Sequence, residues 1–141
     1  MAMRFTYCSP SREATATFIE SYATRFAEDG FAPWTAVLAA EQRIVGWGGL
    51  ARDPKAPHWG VEVLYFFDPS CWRRGLATEL VSASQSHGFR DLGLSVINAF
   101  VRPENHASVR VLAKAGFTRI RFVPELERDA FQSSAALWEV G

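Results

Sequence analysis

Two cysteines, three histidines and no net charge leave this 141-residue chain without the marks of several functional classes. Cys8 and Cys71 lie too far apart for a metal knuckle, and two cysteines are too few for the disulfide framework of a small secreted domain. Fifteen basic residues against fifteen acidic ones, with a pI near 6.8, exclude bulk electrostatic binding to nucleic acid or to an anionic membrane. No apolar run approaches the roughly 20 residues of a membrane span, and the N-terminus lacks the basic region and apolar block of a signal peptide. The default expectation is a cytoplasmic monomer or small oligomer.

What is present describes one domain spanning 1–141. The chain is 48% apolar and 21% charged, enough for one substantial core and too short for two ordinary domains. Eleven Phe and five Trp predict a Phe-rich core with a few aromatics left for a groove.

Local signals place the elements. Ser9 and Pro10 read as the start of a helix that turns Phe18, Ile19, Tyr22 and Phe26 inward and stops at Asp29-Gly30. Trp34–Ala40 and Arg43–Leu50 read as a hairpin. Gly46, Gly48 and Gly49 in its second strand mark either a bulge or a close backbone approach. Val61–Phe67 is a strand closed by Asp68-Pro69-Ser70, and a helix is expected over 75–91 with Leu76, Leu80 and Ala83 on one face. Leu94–Val101 reads as a strand, Asn105–Ala115 as a short helix capped by Gly116, and Phe117–Val123 and Ser134–Val140 as two last strands. The fold class is α/β, a mixed sheet with helices on its faces.

The informative stretch runs from Tyr65 to Glu79, where a strand feeds a short loop that opens a helix. The first amides of a helix have no internal partners and offer donors and partial positive charge to an anion. Gly75 admits a phosphate close to the main chain, Arg73 and Arg74 add charge-assisted contacts, and Ala77 keeps the first turn small. One glycine is too few for a dinucleotide-binding fingerprint, and the Gly-Lys-Ser/Thr of a P-loop is absent.

The run Asp68-Pro69-Ser70-Cys71-Trp72-Arg73-Arg74-Gly75-Leu76-Ala77-Thr78 resembles the coenzyme A pyrophosphate loop of the Gcn5-related N-acetyltransferases (GNAT), in the branch of the ribosomal-protein alanine and serine N-terminal acetyltransferases. Trp72, Gly75 and Ala77 match; Cys71 replaces a usual tyrosine, and Arg73 a usual glycine. Downstream, Asn105-His106-Ala107-Ser108 through Val111-Leu112-Ala113-Lys114-Ala115-Gly116-Phe117 is similar to the family's second cofactor segment. The Phe31–Leu50 hairpin is also similar.

The resemblance implies a GNAT acyl-CoA N-acyltransferase fold, N-terminally shortened, since relatives place a strand and a helix ahead of the Ser9 region. Three readings stand for that difference: an open substrate side, a partner subunit such as a second copy covering it, or a start set too late. It also implies acetyl-CoA held by Phe66, Phe67, Arg73, Arg74, Gly75, Leu76, Ala77, Thr78, Asn105 and Ser108, with Arg110 or Lys114 near the nucleotide. The acceptor would be a primary amine of a small molecule or a protein N-terminus.

Acetyl transfer to an amine is aminolysis of a thioester, which asks for a base, a donor to the carbonyl oxygen and a partner for the leaving sulfur. Glu62, a carboxylate in an apolar strand, is the candidate base, since burial raises its pKa toward a useful range. His58 is a weaker alternative, with His87 and His106 behind it. Many relatives carry a tyrosine proton donor at the position of Leu112; Ser108 is the substitute here, with Tyr65 second. Cys71 has no histidine partner for covalent catalysis. Longer-chain acyl transfer by the same fold and non-catalytic coenzyme A or protein binding are the competing readings.

Overall fold

The computed structural model describes residues 11–140, with the side chains of residues 15, 18, 139 and 140 left out. The first helix, α1, is Arg12–Asp29. Ser11 is its N-cap, extended in backbone and accepting the Ala14 amide through its side chain, so it satisfies one of the orphan donors of the first turn. The start expected at Ser9-Pro10 lies outside the described residues. Gly30 ends the helix in the left-handed region, at φ 81°, and returns its amide to Phe26.

Strands β1 (Trp34–Leu38) and β2 (Arg43–Arg52) form the expected hairpin, and β3 is Val61–Phe67. Both readings of the β2 glycines are met. A register shift falls opposite Val45, between Ala36 and Val37. At Gly46 and Gly48 the β3 backbone comes close: a Cβ on Gly48 would lie 2.5 Å from the Leu64 carbonyl oxygen and 2.7 Å from the Tyr65 Cα.

Helix α2 is Leu76–Ser86 and continues as a π-helical turn from His87 to Asp91, closed by the Leu92 amide on the His87 carbonyl. Its buried side is Leu80, Val81, Ser84 and Gln85, followed by Gly88 and Phe89; Ala83, expected inward, is exposed. Then come β4 (Val96–Val101), α3 (His106–Lys114), β5 (Thr118–Val123), β6 (Arg128–Ser134) and α4 (Ala135–Val140). The chain end corrects the reading of 134–140 as a strand. The last strand lies earlier, and Ala135–Val140 is helical, with Trp138 against Phe89 at 5.4 Å.

The six strands form one sheet in the order β1-β2-β3-β4-β6-β5. All neighbours are antiparallel except β3 and β4. Because side chains alternate across a strand, register assigns the faces. Ala51, Glu62, Asn98 and Gln132 form one row across β2, β3, β4 and β6. The opposite face carries Leu50, Val63, Ile97, Ala99 and Phe131, packed against Leu80, Val81 and Phe89 and against Leu112 and Phe117. This is the core, and each such side chain is worth about 1.5–3 kcal/mol when fully buried. Gln85 ties it together, donating to the Ala115 carbonyl at 2.8 Å and to Ser133 Oγ at 3.0 Å.

Helix α1 lies against β2 on the other face, where Tyr22 is buried edge-on to Trp47. Its remaining apolar positions correct the inward reading: Ile19 is 59% exposed and Phe26 58% exposed. The side chain of Phe18 lies outside the described ones.

A direct check of the β2–β3 approach is Gly48→Ala. It is expected to cost about 1–3 kcal/mol, seen as a lower urea midpoint at unchanged slope; an unchanged midpoint would contradict the close packing.

Candidate active site

The parallel pair β3–β4 is joined at a single register position, Glu62 opposite Asn98. Beyond it β3 runs to Phe67 and β4 to Val101 without another registered pair, so the two strands open into a fork. In a strand, alternate amides and carbonyls point to each side. Those of β3 that do not face β2 therefore line the gap.

Asn98 holds the closed end of the fork. Its amide nitrogen donates to the carbonyls of Trp59 (3.3 Å) and Val61 (3.2 Å), and its oxygen accepts from Gln132 at 3.0 Å. Gly60, at φ 81°, lets the chain pass there: a Cβ would sit 3.1 Å from the Asn98 amide nitrogen. None of this is carried by a local motif.

Glu62 stands at that closed end on the α1 face. Burial pushes its carboxyl up to about 7, helped by the negative charge of Asp53 and opposed by Arg128. Tyr22 shares this electrostatic setting: burial first, then the charges of Glu62 and Asp53, raise the pKa of its hydroxyl. Trp47 stacks on Phe66 at 5.5 Å next to Tyr22, so three aromatics line the Glu62 face.

The three histidines are placed elsewhere. His58 packs on Trp59, His87 contacts Asp91 through Nδ1 at 2.9 Å, and His106 is an exposed residue at the start of α3. Among the described residues, none has a recorded contact with Glu62.

On the core-side face of the fork, the Tyr65 hydroxyl donates to Ser108 Oγ at 3.0 Å. Burial raises the Tyr65 hydroxyl pKa, and the Ser108 bond works against that rise. Asn105 caps α3 by accepting the Ser108 amide at 3.3 Å. Leu112, which holds the position of the relatives' tyrosine, is a core residue at 1% exposure. Arg110 and Lys114 are exposed on the same helix.

The loop after β3 is built by its own side chains. Asp68 accepts the Ser70 amide at 2.8 Å, and the Trp72 indole donates to the Phe67 carbonyl at 2.9 Å, tying the loop back to the strand. This gives Trp72 a positioning task that sequence alone did not reveal, and it occupies the Phe67 carbonyl. Cys71 is buried, with Arg43 at 3.6 Å from its sulfur. The first intrahelical bond of α2 runs from the Glu79 amide to the Gly75 carbonyl, so the amides of Leu76, Ala77 and Thr78 stand at the open helix end.

Above Gly75 there is open space, with nothing within 4 Å of a Cβ placed there. Arg73 and Arg74 are exposed and, among the described residues, in no ion pair. Open amides, an uncrowded glycine and two available guanidinium groups fit a pyrophosphate. Arg73 has a left-handed backbone, at φ 65°, a conformation that glycine adopts freely. At a non-glycine residue it costs about 1 kcal/mol of strain.

The sheet thus forks, with an open helix start at the end of one prong, and this fold is shared with solved acetyltransferases. The sequence profile of the acetyltransferase (GNAT) domain matches residues 1–118. The chain is 38% identical over 96 residues to the uncharacterized N-acetyltransferase YoaA of Bacillus subtilis (strain 168), covering 60% of this chain and 54% of that protein. An acetyltransferase from Agrobacterium tumefaciens str. C58 superposes with a TM-score of 0.77 at 20% identity, over 87% of this chain and 72% of that one. A ribosomal-protein-S5-alanine acetyltransferase from Vibrio fischeri does so with a TM-score of 0.69 at 18% identity, over 89% and 73%. The chain belongs to the GNAT acetyltransferase family, and it has that family's fold. It spans about half the length of the curated relatives it matches.

The strain at position 73 gives a check. Arg73→Gly is expected to leave the melting temperature unchanged or slightly raised, whereas Arg73→Val, β-branched in a left-handed position, loses about 1–2 kcal/mol. Equal losses for both variants would contradict the assigned backbone.

Proposed function

We propose that the chain transfers the acetyl group of acetyl-CoA directly to a primary amine of a small molecule or of a protein N-terminus. The observation that carries this reading is the fork itself. Glu62 lies on one face at its closed end, and the Tyr65–Ser108 pair lies on the other. That arrangement suits aminolysis, because the groups that serve the entering amine and the leaving sulfur must reach different substituents of the same carbon.

When bound, acetyl-CoA supplies an acetyl group already activated as a thioester. The amides of Leu76, Ala77 and Thr78, with Arg73 and Arg74, hold its pyrophosphate, while Asn105 and the inward main chain of β3 near Phe66 and Phe67 hold its arm. An amide of β3 facing the gap donates to the carbonyl oxygen. Glu62 takes a proton from the amine, and Ser108 turns its hydroxyl toward the departing sulfur. Fixing both reactants in one cleft supplies much of the acceleration.

The acceptor reaches Glu62 along the face of Tyr22, Trp47 and Phe66. The likeness to a ribosomal-protein acetyltransferase supports testing a peptide acceptor. A second copy of the chain belongs to the reading as cover for the α1 and β1 side, where Ile19, Phe26, Val37 and Ile44 are exposed. A cytoplasmic setting, where acetyl-CoA is available, belongs to the same reading.

Calorimetry with acetyl-CoA and thiol release with a panel of primary amines and an N-terminal alanine peptide test the proposal. Saturable binding and amine-dependent release are expected. Glu62 is protonated below about pH 7 and cannot accept a proton there, so the rate should rise as pH passes upward through that value. Glu62→Gln should remove this limb and lower kcat by about a hundredfold or more. Binding without release would favour the non-catalytic reading, and an unchanged pH profile would remove Glu62 from the base role.

A further inference from the structure

Serine and threonine hydroxyls inside a helix commonly donate back to the carbonyl four residues earlier. Thr17 to Glu13, Thr24 to Glu20 and Ser84 to Leu80 are examples among the described residues. Ser108 does not bond in this way. Its Oγ accepts the Tyr65 hydroxyl across the fork, from a residue 43 positions earlier in the chain. Its amide is engaged by Asn105. The Ser108 hydroxyl hydrogen has no recorded acceptor among the described residues.

Tyr65 is itself fixed. It lies on β3 past the Glu62–Asn98 pair, opposite Gly48, whose missing Cβ lets the Tyr65 backbone sit close to β2. Its ring packs beside Phe67 at 6.2 Å. A hydroxyl that accepts one hydrogen bond becomes a stronger donor in the next, and the accepted bond also fixes its rotor.

We propose that Tyr65 is a positioning residue for the leaving group: by donating to Ser108 Oγ, it aims the Ser108 hydroxyl into the fork at the coenzyme A sulfur. This rests on the acetyl-CoA reading above. The C–S bond breaks with its electron pair on sulfur, which Ser108 meets with a hydrogen bond. The N–C bond forms as the C–S bond breaks, and the proton Glu62 takes from the attacking amine balances the one that neutralises the sulfur. An acceptor that arrives as ammonium has first given one proton to solvent, which is the one proton the overall transfer releases. Tyr65 keeps its proton throughout and acts only through Ser108.

The test needs no acceptor amine. Free coenzyme A is bound to the full-length chain, and its thiol is titrated by ultraviolet thiolate absorbance, with affinity measured by calorimetry. On the wild type the bound thiol should titrate about one pH unit below free coenzyme A, the worth of one charge-assisted hydrogen bond. Ser108→Ala should abolish the shift and Ser108→Thr should retain it. Tyr65→Phe, which keeps the ring, should remove at least half of it with unchanged affinity, and the double variant should match Ser108→Ala.

A full shift in Tyr65→Phe overturns the proposal. So does a further loss when Tyr65→Phe is added to Ser108→Ala, because Tyr65 would then act without Ser108. Coenzyme A binding with no shift in the wild type overturns this inference alone. No coenzyme A binding overturns the functional reading and this inference with it.

Discussion

One side-chain amide decides where the sheet opens. Asn98 bridges the carbonyls of Trp59 and Val61 with its nitrogen and receives Gln132 on its oxygen, clamping β4 to the start of β3 and to β6. Past that clamp the parallel strands separate, and a parallel pair with one registered position leaves a row of main-chain donors and acceptors without strand partners. Unpaired backbone groups inside a protein are costly unless something satisfies them. A fork held at one end by a dedicated side chain is thus a place built to be filled. The extended arm of an acyl carrier has the shape and the amides to fill it.

The rest of the site is arranged about this opening. The end of β3 turns through Asp68 and Trp72 into the start of α2, which puts the open amides of Leu76, Ala77 and Thr78 at the far end of the fork. The end of β4 turns into α3, whose Asn105 cap presents Ser108 to Tyr65. Glu62 is held near neutrality by burial and by Asp53, a setting that costs stability in its charged form and suits a proton acceptor near physiological pH. Strand register puts Glu62 and the Tyr65–Ser108 pair on opposite faces of one sheet, a relation fixed by the backbone and not by loop conformation.

What the sequence made legible was whatever is written locally. The β3 boundaries, the Gly30 stop, the loop from Asp68 to Thr78 and the short helix after Asn105 ending before Gly116 each depend on residues within one or two turns of one another. The failures are of the opposite kind. Apolar spacing at Ile19 and Phe26 identified a helix but says nothing about whether a partner covers that stripe among the described residues. The last strand was placed late because Asp129 and Gln132 look unlike strand interior. Asp129 is there because Arg119 pairs with it from β5 at 2.9 Å, and Gln132 because it reaches Asn98. Arg73 stands where the resemblance has a glycine, and its backbone is left-handed. The Asn98 clamp and the Tyr65–Ser108 bond join residues dozens of positions apart, and no local signal announces either.

Hydrogen–deuterium exchange of the full-length chain with and without acetyl-CoA tests the central claim most directly. If the arm pairs with β3 in the fork, the cofactor should slow exchange of the gap-facing amides between Val63 and Phe67 together with those of Leu76, Ala77 and Thr78. Protection confined to the α2 start, with β3 unchanged, would contradict the account: the phosphates would bind, but the fork would not be where the thioester lies.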